Sequence, residues 1–200
     1  MPIKPNIVIL NTGCANLTSV EFALKRLGYT PVISDEPSVV KRADKVLLPG
    51  VGTAKAAMAE LAGRNLISLV QSLTQPVLGI CLGMQLLTSF SEETQGVALL
   101  DLIQAQTQLM KPNELPIPHC GWNTLSAHTN HPLFEGISKD AYFYFVHSYS
   151  VPVGEYTLAT TEYGGAFSAA IAHDNFTGVQ FHPERSGQAG AKLLKNFIEM

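Results

Sequence analysis

Short apolar runs alternate with helical stretches through the first part of the chain, and that alternation limits the folds open to it. NIVIL (6–10) reads as a short buried strand, and TPVI (30–33), KVLLP (45–49) and PVLGI (76–80) as further strands. Between the first two, Leu17, Val20, Leu24 and Leu27 recur at helical spacing until Gly28 stops the helix. Ala- and Leu-rich helical stretches fill 53–62 and 65–74, and the pattern predicts a further helix over 82–90. Strands returned by helices build a parallel sheet with helices on both faces. Beyond residue 95 the chain turns β-rich, with YTLATT, SAAIAH and FTGVQF as short strands. A closing helix over 188–199 buries Ala191, Leu194, Phe197 and Ile198. We expect the second half to extend the same sheet as a mixed or antiparallel part. The expected fold is therefore α/β, a single three-layer domain over 1–200 with an open mixed sheet.

Composition removes several classes of function. With 46% hydrophobic and 14% charged residues, the chain fills a core and is no solvated tail. The net charge is −3, and the 13 Lys and Arg form no basic block, which argues against nucleic acid or an anionic membrane as partner. MPIKPNIVIL holds too short an apolar run for a signal peptide, and no stretch approaches membrane-spanning length. Cys14, Cys81 and Cys120 show no CxxC spacing, against a disulfide scaffold or zinc ribbon. A reducing cytoplasmic setting is expected.

Ligands of open α/β sheets bind beyond the carboxyl ends of the strands, and QPVLGICLGMQLL (75–87) places Cys81 at such an end. Gly79-x-Cys81-x-Gly83 is a thiol version of the nucleophile elbow, whose glycines leave room for a sharp strand-to-helix turn. The helix start favours the reactive thiolate, and the Leu82 N–H, without an intrahelical acceptor, can face a developing oxyanion. A base is offered by GVQFHPERS (178–186): His182 ends a strand and Pro183 holds it extended. Glu184, two residues on, can orient the imidazole as the third member of a triad. LLPGVG (47–52) supplies a further strand end, where Gly50 and Gly52 free the intervening peptide so that the Val51 N–H can join Leu82 in an oxyanion hole.

These residues, GICLGMQ together with FHPE, resemble the class I (triad) glutamine amidotransferases, with their flavodoxin-like core. LPGVGT, PHCGWN (118–123), YFVHSY (144–149) and GVQFHPERSG narrow the resemblance to the glutaminase subunits of imidazole glycerol phosphate synthases, in histidine biosynthesis. The likeness covers 6 to 199. It departs at Asn11-Thr12-Gly13-Cys14-Ala15-Asn16-Leu17, where relatives often begin Asp-Tyr-Gly-x-Gly-Asn-Leu; no catalytic position is touched. The resemblance implies that Cys81 attacks the side-chain amide of glutamine, that His182 protonates the leaving ammonia and then activates water, and that Glu184 holds the imidazole. It implies that Gly50, Gly52, Gln85 and the main chain of His147, Ser148 and Tyr149 hold glutamine. No cofactor and no metal are expected. Ammonia is mostly protonated at neutral pH, so a partner must receive it directly. The resemblance makes that partner a cyclase subunit, a (β/α)8 barrel, in a heterodimer docked over loops 11–16, 49–53 and 118–123.

The remaining residues take plainer readings. His147 is read as a packed, hydrogen-bonded histidine; His119, His128 and His131 lack metal-ligand spacing; Trp122 either packs or anchors a loop. Rival functions are the glutaminase of another amidotransferase, disfavoured by PHCGWN and YFVHSY, a cysteine hydrolase on the same fold, and a flavodoxin-like binding module.

Overall fold

The computed structural model describes residues 4–13, 15–128 and 130–200. Cys14 and the side chain of His128, both singled out above, lie outside the described residues.

The strands are β1 (Ile7–Leu10), β2 (Val32–Ser34), β3 (Lys45–Gly50), β4 (Val77–Cys81), β5 (Thr88–Ser91), β6 (Val97–Ala98) and β7 (Ile103–Leu109). There follow β8 (His119–Thr124), β9 (Ala127–His128), β10 (Tyr142–His147), β11 (Tyr149–Ser150), β12 (Thr157–Glu162), β13 (Ala166–His173) and β14 (Phe176–Val179). The helices are α1 (Leu17–Arg26), α2 (Pro37–Val40), α3 (Ala54–Gly63), α4 (Ile67–Gln71), α5 (Leu82–Leu86) and α6 (Gly187–Glu199). An eight-stranded sheet in the order β2-β1-β3-β4-β14-β13-β12-β9 forms the centre. It is parallel from β2 to β14 and antiparallel from there to β9.

Burial follows from the sequence pattern. β1, β3 and β4 are buried along their whole length, as strands covered on both faces must be. One apolar layer joins Val20 and Leu24 of α1 to Leu193, Leu194 and Phe197 of α6. The layer on the other face gathers Ala57 and Leu61 of α3 with Leu69 and Val70 of α4.

Two expectations need correction. The helix expected over 82–90 ends at Leu86, and β5 begins at Thr88. The buried Thr88 hydroxyl donates to the Gln85 carbonyl at 2.8 Å, ending the helix with a side chain, and the β-branched residue starts the strand. The β-rich half is also not one extension of the central sheet. β9, β12, β13 and β14 extend it, while β8 and β10 form a ribbon and β5, β6, β7 and β11 a four-stranded sheet. The alternating burial of β7, with Ile103, Ala105 and Thr107 inward and Gln residues outward, suits a separate one-sided sheet.

Candidate active site

The carboxyl ends of β3, β4 and β14 converge, with Gly50 opposite Cys81 and Val179 opposite Ile80. Cys81 sits at φ 55 and ψ −111, a region costing a non-glycine residue ~1–3 kcal/mol and held only where surroundings demand it. The surroundings are glycines of a particular kind. A Cβ on Gly79 would come within 2.6 Å of the Gly83 carbonyl oxygen, and one on Gly83 would overlap the Leu48 carbonyl. These glycines therefore serve close packing of α5 on β3 and β4, while the left-handed turn falls on the cysteine itself.

His182 follows β14 with φ −100 and ψ 94, the extended form that Pro183 favours in its predecessor. Its main-chain N–H donates to the Tyr144 carbonyl at 2.9 Å, and the Ser186 hydroxyl donates to its carbonyl at 2.6 Å. The imidazole Nδ1 lies 2.8 Å from Glu184 Oε1, both side chains being buried, and the ring borders the same cavity as Cys81. Burial works against the imidazolium, but hydrogen bonds to Cys81 and Glu184, and their charges, outweigh it and push the His182 pKa up to about 10. The other oxygen of Glu184 is buried with no hydrogen-bond partner among the described residues.

A cavity of roughly 350 Å³ opens at this point, of a size for a small metabolite. Cys81, His182, Leu82, Gln85, Val51, Gly52, His147, Ser148 and Tyr149 border it, all singled out in the sequence. Gly50 is not among its lining residues: it faces Gly83, whose nitrogen a Cβ would approach to 2.8 Å. Gly52 has φ 91 and open space around a would-be Cβ, so there the requirement is conformational.

Glu93, Pro118 and Val146 also border the cavity and were missed, as was Gln180, buried beside Cys81. Glu93 stands in a short turn whose sequence carries no signal; its Oε2 accepts from the Ala54 N–H at 2.5 Å. Gln180 had one signal, a polar residue inside the apolar run GVQF. A hollow of about 250 Å³ beside Lys111, Tyr163 and Phe167 is lined by no cysteine or histidine.

The other histidines are packed. His147 Nδ1 lies 2.8 Å from the Tyr149 carbonyl, and its Nε2 lies 3.2 Å from His119 Nδ1. Burial drives His147 down to about 3, the Tyr149 hydrogen bond opposing and the charges of His119 and His182 assisting. Burial likewise drives His119, stacked on Tyr163, down to about 4. Both are neutral at pH 7. His131 accepts from the Leu133 N–H, and Cys120 is exposed with its sulfur 3.7 Å from the Tyr144 hydroxyl. Trp122 is exposed and meets Tyr144 edge-on at 5.8 Å. Among the described residues, no three His, Cys, Asp or Glu gather to hold a metal ion, and no helix is long and apolar enough to cross a membrane.

Comparison with known proteins places the chain in a family. The family described as glutamine amidotransferase class-I matches residues 10–200. The chain is 59% identical to the imidazole glycerol phosphate synthase subunit HisH of Photorhabdus laumondii, covering 97% of this chain and 99% of that one. The subunit of the same name from Salmonella typhimurium is 60% identical, covering 98% of this chain and all of its relative. Among solved structures, a glutamine amidotransferase of Thermotoga maritima superposes with a TM-score of 0.66 at 17% identity, covering 98% of this chain and 82% of that one. Another structure described as a glutamine amidotransferase gives 0.74 at 16%, covering 96% and 97%. At such identities these two speak for the fold alone.

Proposed function

The chain belongs to the class-I glutamine amidotransferases, and from that premise we propose that Cys81, His182 and Glu184 make it the glutaminase subunit of an imidazole glycerol phosphate synthase. Residues 1–200 act as one amidotransferase domain in the cytoplasm. The observation that carries the proposal is the cysteine at φ 55, in one cavity with a histidine that Glu184 holds at 2.8 Å.

The Cys81 thiolate attacks the side-chain amide carbon of glutamine, and the negative oxygen that forms meets the Leu82 N–H and, once its peptide turns inward, the Val51 N–H. That peptide joins Gly50 to Val51, and Gly50, without a Cβ, lets it turn. The His182 imidazolium gives its proton to the departing ammonia, leaving a γ-glutamyl thioester. The neutral imidazole then takes a proton from water, hydroxide adds to the thioester, and glutamate leaves as the thiolate returns. Glu184 keeps the ring turned toward Cys81 throughout. The Ser148 and Tyr149 main chain walls the site, and Gln85 stands beside it with both hydrogens of its amide already donated, to Tyr149 and Gln180. Its oxygen is left to accept from the substrate amide. Glu93 is a carboxylate at the cavity wall, suited to the α-ammonium group of glutamine.

The ammonia passes to a cyclase subunit, a (β/α)8 barrel, which makes imidazole glycerol phosphate and an aminoimidazole carboxamide ribotide in histidine biosynthesis. Exposed apolar side chains near the mouth support docking: Val51 borders the cavity, Ile117 precedes Pro118 at its edge and Trp122 meets Tyr144, at 41%, 44% and 56% exposure. The expected loop at 118–123 is instead largely strand β8, whose face with Trp122 and Tyr144 leads back to His182, 6.5 Å from the Tyr144 ring. Glutamine hydrolysis by the lone chain should be slow and rise on adding the cyclase subunit and its acceptor substrate. Cys81→Ser should abolish it; a Cys81→Ser protein that still releases glutamate defeats the proposal.

A further inference from the structure

One backbone carbonyl determines how two buried amides point. The Tyr149 oxygen lies 3.0 Å from Gln85 Nε2 and 2.8 Å from His147 Nδ1. A main-chain carbonyl accepts and never donates, so Gln85 offers it an NH₂ and His147 an N–H. The same Gln85 NH₂ donates to Gln180 Oε1 at 2.9 Å. Turning Gln180 over would set two NH₂ groups face to face. Turning Gln85 as well would aim its oxygen at the Tyr149 oxygen. Neither reversal is tolerable in a dry interior.

Gln180 is therefore held with its own NH₂ toward Cys81, Nε2 lying 3.8 Å from Sγ. It stands where it does because β14 runs parallel beside β4 with Val179 opposite Ile80, so Gln180 and Cys81 follow at neighbouring strand ends. The residue is fully buried. An apolar side chain would fill that position without the desolvation an amide costs.

We propose that Gln180 is a catalytic residue, donating a hydrogen bond to the Cys81 sulfur and stabilising it as thiolate alongside His182. This rests on the reading of Cys81 as nucleophile and adds to it. In the thiol form the sulfur has a different outlet, the Val146 carbonyl at 3.9 Å. The thiolate needs donors, and Gln180 and His182 supply them. The same N–H faces the sulfur when it leaves as thiolate in thioester hydrolysis. The other titratable groups around the sulfur are His147 on β10, Tyr149 on β11, Glu93 after β5 and Glu184 behind His182.

Two variants of the full chain, in complex with the cyclase subunit, divide the roles of the amide. Gln180→Met keeps length and burial and removes donor and acceptor. Gln180→Glu is isosteric, keeps the acceptor for Gln85 and turns a carboxylate oxygen on the sulfur. The rate of Cys81 alkylation by iodoacetamide is followed against pH, with the modified peptide identified by mass and folding checked by thermal melting. With Gln180→Met the midpoint of the profile should move up by about one pH unit, and alkylation below it should slow about tenfold. Gln180→Glu should move it further. For glutamine, kcat should fall by a similar factor while KM changes less than about threefold. Folded variants whose alkylation profiles match the unmodified chain overturn the proposal; should Gln180→Met not fold, the isosteric Gln180→Glu decides alone. Cys81→Ser, assayed in parallel, separates the premises. Residual glutaminase there removes the nucleophile itself, whereas a dead Cys81→Ser beside unshifted Gln180 variants removes only the role of Gln180.

Discussion

Replacing Glu184 by glutamine keeps the shape of the side chain and removes its charge, and the surroundings leave the new amide no good orientation. With its oxygen toward His182 Nδ1 it preserves a neutral hydrogen bond, but its NH₂ then occupies the place of Oε2, which is buried with no partner among the described residues. With its NH₂ toward Nδ1 it must be met by a ring nitrogen without a proton. That tautomer carries its proton on the nitrogen facing Cys81, where it can no longer take the thiol proton. The lost interaction is a buried charge-assisted hydrogen bond at 2.8 Å, contributing ~1.5–3 kcal/mol. At 1.36 kcal/mol per decade this predicts a fall in kcat of roughly 10- to 160-fold, with KM little changed. The assay is glutamate release by the complex at saturating glutamine, across pH. His182 is raised to about 10, burial opposing and the hydrogen bonds and charges of Cys81 and Glu184 prevailing. The alkaline limb of kcat should therefore move toward neutral pH when Glu184 loses its charge. Linkage gives a second check. A folded pKa above the unfolded value of 6.5 contributes stability that is complete below pH 6.5 and lost as pH rises toward about 10. Glu184→Gln should flatten that decline. A kcat within about threefold of the unmodified protein, with an unmoved alkaline limb, would refute the role given to Glu184.

Gly52→Ala meets no atom but must hold φ 91; it should cost ~1–2 kcal/mol of stability and lower kcat more than it raises KM, and unchanged turnover shows that the turn at Gly52 does not shape the site. Glu93→Gln should raise KM for glutamine about tenfold or more with kcat nearly preserved; an unchanged KM removes Glu93 from the substrate site. His119 and His147, at about 4 and 3 when folded, bind protons more readily unfolded, so stability should fall as pH drops below 6.5. At pH 5 each costs up to ~2 kcal/mol, from a gap of about 1.5 pH units. Urea unfolding at pH 7 and pH 5 should show this loss, reduced in His147→Gln; equal stability at both pH values contradicts neutral burial of the pair.

What could be read from residues alone was whatever depends on local geometry. The elbow was legible because Gly79 and Gly83 have a steric task within a few residues of Cys81, and the His182–Glu184 pair because Pro183 dictates the backbone between them. Gln180, Glu93 and the His119–His147 contact answer to nothing nearby. Gln180 acquires its polarity from Tyr149, on a strand of another sheet, by way of Gln85. Glu93 reaches the cavity only because α5 stops at Leu86, and that stop is a hydroxyl-to-carbonyl bond invisible in the apolar periodicity that suggested a helix to residue 90. The same missed stop hides the four-stranded sheet, since a helix running through Thr88 removes the strand that joins β7 to β6. Periodicity reports which face of a segment is apolar and is silent on which side-chain oxygen captures a terminal carbonyl. The parts of the site carried by neighbouring residues were therefore open to inspection, and the parts carried by hydrogen-bond polarity across strands required the fold.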